Sequence, residues 1–99
     1  MIEERRPELA ALCRKYNVRR LELFGSAATG RFDPARSDLD FLVEFQDLSP
    51  SDYARSFFDL LHELEDLFAR AIDLVTIRSL TNPYLLGEIE RHRTLLYAA

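Results

Sequence analysis

Two aspartates one residue apart, Asp38 and Asp40, and a third further along, Asp73, are the residues whose type and spacing could do chemistry. The run Asp38-Leu39-Asp40-Phe41-Leu42-Val43-Glu44-Phe45 reads as a strand. Side chains alternate along a strand, so Asp38 and Asp40 share a face, about 6.6 Å apart along the chain. Leu39, Phe41, Val43 and Phe45 take the other face and belong to the core. Aspartate is depleted in strands, and like charges on one face repel. A lone Asp-x-Asp is more often a strand whose outer face is simply wet. Asp73 weighs against that reading, because it again sets an acid between apolar neighbours, Ile72 and Leu74. If its strand pairs beside the first, three carboxylates converge on one patch. Such a patch makes sense chiefly around a cation, and oxygen-only ligands favour magnesium, manganese or calcium. Carboxylates flanking two ions about 3.5–4 Å apart are the protein share of a two-metal phosphoryl-transfer site.

A second feature lies just upstream. Phe24-Gly25-Ser26 ends a strand-like run, and Ala27-Ala28 could open a helical turn. Glycine lets backbone N–H groups approach an anion closely, and serine adds a hydroxyl donor. Alone, Gly25-Ser26 is more often a plain turn. Beside an Asp-x-Asp strand it becomes a phosphate cradle next to a metal site.

The elements that must hold these residues follow from period and punctuation. Residues 3–16 read as a helix, with Pro7 in its first turn, a stripe of Leu9, Ala10, Leu12, Cys13 and Tyr16, and Asn17 at its end. Residues 19–24 alternate as a strand that stops at Gly25, and Gly30, Asp33, Pro34 and Ser37 mark a loop. Residues 51–70 form the clearest helix, capped by Ser49 or Ser51 with Pro50 in its first turn. Its apolar stripe is Tyr53, Ala54, Phe57, Phe58, Leu61, Leu64, Leu67 and Phe68; Asp52, Arg55, Asp59, His62, Glu63 and Asp66 lie opposite. Residues 71–77 are a short β-branched strand, Pro83 to His92 a last helix, and Thr94 to Tyr97 a candidate final strand. The order describes an α/β (α+β) domain with a small mixed sheet flanked by helices.

With 99 residues there is room for one domain, residues 1–99, and one modest core. A net charge of −4 argues against tight non-specific nucleic-acid binding. No apolar run approaches the roughly 20 residues of a membrane helix. The opening Met1-Ile2-Glu3-Glu4-Arg5-Arg6 has no apolar signal region, so a cytoplasmic location is expected. The single cysteine, Cys13, excludes an intramolecular disulfide and reads as a small core residue. His62 and His92 read as surface residues, Tyr53, Tyr84 and Tyr97 as packing, and Glu88-Ile89-Glu90-Arg91 as a solvated helix face.

Taken together, Gly25-Ser26, the loop, Asp38-Leu39-Asp40 and the later Asp73 resemble the polymerase-β-type nucleotidyltransferase superfamily. The fit is best to its minimal branch, the MNT proteins, many of which are antitoxins paired with HEPN-domain toxins. The resemblance implies that Asp38 and Asp40 ligate two magnesium ions, and that Asp73 holds the catalytic one near the acceptor hydroxyl. It implies that Gly25 and Ser26 bind the triphosphate of ATP. Members often carry arginine where this chain has Ala27 and Thr29, and the loop from Ser26 to Asp38 is one residue longer than the commonest form; Arg31 or Arg36 is the candidate replacement charge. The implied activity is transfer of AMP from ATP to a hydroxyl, a tyrosine of the HEPN toxin. A short chain leaves the acceptor to another molecule. Two alternatives stand beside it: a non-catalytic protein that occludes the toxin, and a small-molecule nucleotidyltransferase working as a homo-oligomer, a dimer.

Overall fold

The computed structural model describes residues 2–24, 39–76 and 94–99. Pro7 sits in the first turn of helix α1 (Arg6–Lys15), which a single 3-10 turn, Glu3–Arg5, precedes. The helix closes with the Tyr16 amide donating to the Leu12 carbonyl at 3.0 Å. Asn17 then turns left-handed at φ 59, a conformation that a short polar side chain tolerates. Strand β1 (Val18–Phe24) follows, then β2 (Leu39–Phe45).

Helix α2 (Pro50–Phe68) begins where its sequence says it should. The Ser49 hydroxyl accepts from the Asp52 amide at 3.3 Å, and Pro50 occupies the first helical position, where no amide is needed. It ends at Ala69, left-handed at φ 52. Strand β3 (Ile72–Thr76) comes next, and β4 (Thr94–Ala98) lies near the C-terminus. The expected helix from Pro83 to His92 falls outside the described residues, as do Tyr84 and Glu88 to Arg91.

The four strands form one mixed sheet in the order β3-β2-β1-β4. β1 runs antiparallel to both β2 and β4, whereas β2 and β3 are parallel and joined through α2. Leu21 and Leu23 of β1 face Val43 and Phe41 of β2, and this side of the sheet meets the helices. Leu9 and Cys13 of α1, Leu60, Leu64 and Phe68 of α2, and Leu39, Phe41, Val43 and Phe45 of β2 build the core. The Phe41 and Phe68 rings lie 5.9 Å apart, and Tyr53 meets Phe45 edge-on at 5.1 Å. Cys13 has no exposed surface, and burial pushes its thiol up to about 12, as befits a core residue.

Of the expected α2 stripe, Tyr53, Phe57, Leu61, Leu64, Leu67 and Phe68 are buried in or packed against the core, and the stripe differs only at its edges. Leu60, absent from that stripe, is fully buried, whereas Ala54 is exposed and Phe58 is 55% exposed. At about 100° per residue, Phe58 lies roughly 120° from the line through Leu60, Leu64 and Phe68. It rests edge-on against Phe57 instead, with ring centres 5.4 Å apart. Among the described residues, no helix is long and apolar enough to cross a membrane.

Candidate active site

Because β2 and β3 are parallel and in register, Asp40 has Asp73 as its direct neighbour. Adjacent strands lie about 4.8 Å apart, and residues side by side across them point to the same face. That face is the one turned away from α1 and α2, since Leu39 and Phe41 on either side of Asp40 are buried in the core. Asp40 is half-buried and Asp73 is exposed. The strand that carries Asp73 thus stands where the Asp-x-Asp reading needed it. Gly25, Ser26 and Asp38 lie outside the described residues, as do Arg31 and Arg36.

Rows of residues across the sheet define the surroundings of the pair. Phe24 of β1 is the partner of Asp40 on its other side, so Phe24, Asp40 and Asp73 form one row. The next row on this face is Glu22, Leu42 and Val75. Phe24, Leu42 and Val75 pack into a small apolar cluster separate from the main core. Glu22 is 2% exposed, and the Arg20 Nε donates to its carboxylate. Beyond it the Arg19 guanidinium meets Glu44 at 3.3 Å.

Sequence reading did not anticipate the buried Glu22 or the Phe24–Leu42–Val75 cluster. For the cluster the signal was available, since Phe24 alternates with Leu21 and Leu23, and Leu42 and Val75 follow Asp40 and Asp73 by two; for the burial of Glu22 alternation gives none. His62 is exposed, and Tyr53 and Tyr97 are half-buried against the core, in keeping with surface and packing roles.

The donors fit a hard divalent cation. Two carboxylates on adjacent positions offer only oxygen, and Asp73 presents its side chain to solvent. Among the described residues, no group of three histidine, cysteine, aspartate or glutamate side chains comes together to hold a metal.

The family described as the nucleotidyltransferase domain matches residues 9–96. A Methanocaldococcus jannaschii protein named putative protein adenylyltransferase is 36% identical over 76 residues, which make up 77% of this chain and 74% of the relative. A solved structure of a putative minimal nucleotidyltransferase superimposes with a TM-score of 0.68 at 32% identity, covering 93% of this chain and 89% of the other. The fold recurs in a Shewanella oneidensis complex described as a tri-AMPylated HEPN toxin with MNT antitoxin. There the TM-score is 0.68 at 20% identity, over 100% of this chain and 74% of the other. With a mixed sheet that sets Asp40 beside Asp73, and a family match spanning both, this chain belongs to the nucleotidyltransferase-domain family.

Proposed function

We propose that this chain is a protein adenylyltransferase that transfers AMP from ATP to a tyrosine hydroxyl of a partner HEPN toxin, and so serves as the antitoxin of the pair. The observation that carries the reading is the in-register pairing of Asp40 with Asp73 in a member of the nucleotidyltransferase-domain family. A relative named for protein adenylylation and a neighbour in fold bound to an AMPylated HEPN toxin support the choice of acceptor.

In this reading residues 1–99 act as one minimal domain. Asp38, Asp40 and Asp73 would hold two magnesium ions, which would supply positive charge to the reacting phosphate. Gly25 and Ser26 cradle the triphosphate through backbone N–H groups and one hydroxyl. Asp73 is exposed on β3, at one end of the strand order among the described residues, and accepts the proton of an acceptor hydroxyl that comes from outside. The acceptor oxygen bonds to the α-phosphorus, the bond to the bridging oxygen breaks, and pyrophosphate leaves.

The test is incubation of the purified chain with magnesium, a HEPN-domain protein and ATP labelled at the α-phosphate. Label should appear on a tyrosine of the HEPN protein and vanish with EDTA. A complex that forms without any labelling would make the chain a toxin-occluding binder and end the enzyme reading.

A further inference from the structure

Building on the metal-dependent reading above, we propose that Phe24 and Val75, with Leu42 between them, are positioning residues. They form a dry wall along the aspartate pair and set how tightly it holds a divalent cation. Phe24 is the cross-strand partner of Asp40. Leu42 follows Asp40 by two residues and Val75 follows Asp73 by two, so both share the face of the acids. Leu42 and Val75 are themselves neighbours across the parallel pair. The three pack together and take no part in the core beneath the helices.

Side chains directly opposite on paired strands have their Cβ atoms about 4.5–5.5 Å apart. The Asp40 carboxylate therefore leaves its strand with Phe24 on one flank, Asp73 on the other and Leu42 along the strand. Phe24 is 9% exposed and Leu42 5% exposed, so those two flanks are closed to water. Two consequences follow. The attraction between a dication and carboxylates scales inversely with the local dielectric, which an apolar flank lowers. The wall also fills the space beside Asp40 toward β1 and along β2, so it narrows the positions open to the carboxylate on those two sides. Outer-shell groups that hydrogen-bond to metal ligands commonly change metal affinity by about tenfold or more when removed, and an apolar shell acts on the same site through solvent access and dielectric.

The experiment titrates manganese alone into the purified chain and reads the melting midpoint against ion concentration. Phe24→Ala and Val75→Ala should raise the half-maximal ion concentration about tenfold. Phe24→Leu restores an apolar flank and should stay within about twofold of wild type on the same scale. Leu23→Ala is the control: it neighbours Phe24 but faces the main core, so it should lower the melting temperature at every ion concentration without moving the half-maximal point. Should Phe24→Ala fail to fold, Val75→Ala at its half-buried position carries the comparison. The wall is refuted if Leu23→Ala moves the half-maximal point as far as the wall variants, or if the wall variants leave it in place. A wild-type chain indifferent to manganese would instead overturn the cation site itself, and the wall with it.

Discussion

The two faces of the sheet obey different rules. On the face beneath the helices, Leu21, Leu23, Leu39, Phe41 and Val43 are all apolar and nearly inaccessible. On the opposite face the strands carry Arg20, Glu22, Asp40, Glu44 and Asp73, with Phe24, Leu42 and Val75 packed as a small apolar cluster. The first face holds the fold together, because each buried side chain gains free energy on leaving water. The second gives some of that up by placing like charges side by side, an arrangement that costs stability unless something binds there. Stability and chemistry are thus kept on opposite sides of the same strands, and variants on the two sides should behave oppositely.

The largest expected effect lies on the acid face. Asp40→Asn should reduce nucleotidyl transfer a thousandfold or more, about 4 kcal/mol of transition-state stabilisation, while the fold persists. Activity within tenfold of wild type would break the division of labour. The converse is Phe41→Ala on the helix face, which removes a ring packed against Phe68. It should cost about 3–5 kcal/mol of stability by denaturant unfolding; a cost below 1 kcal/mol would show that this face is not the main core. The smallest effect has the opposite sign. In EDTA, Asp73→Asn removes the repulsion with Asp40 and should stabilise the chain by about 0.2–1 kcal/mol. A lower melting point than wild type in EDTA would make Asp73 structural.

Much of this division was legible in the sequence, and the reason is period. The alternation in residues 39–45 places Phe41 and Val43 opposite Asp40 whatever the sheet order, and the Ser49-Pro50 pair marks the start of α2 by local chemistry alone. Strand adjacency is a different kind of fact. Nothing local says that β3 lies beside β2 and parallel to it; the unusual acid in each strand suggested it, and the register places Asp40 against Asp73. The edges of the α2 stripe were misjudged for a geometric reason. Apolar residues occupy so much of that helix's circumference that periodicity alone does not say which edge of the stripe is core. Packing against Phe41 chose Phe68 and its turn-mates, Leu60 and Leu64, and left Phe58 outside. The Glu22 carboxylate escaped notice because charge on a strand reads as exposure, and its burial depends on the tertiary surroundings.

The parallel pairing of β2 with β3 also fixes when the site exists during folding. Parallel neighbours cannot be joined by a tight hairpin, and here all of α2 lies between Asp40 and Asp73. Their meeting is a long-range event that requires the crossover to close, and loop closure of that kind is slow. Among the described residues β3 stands at one end of the strand order, paired with β2 alone, and a strand with fewer pairings opens at lower free-energy cost. An opening of β3 would take the carboxylate pair apart, since Asp40 and Asp73 meet only through the β2–β3 pairing. A cation that bridges the two aspartates would therefore slow hydrogen exchange in β3 before it changes protection anywhere else.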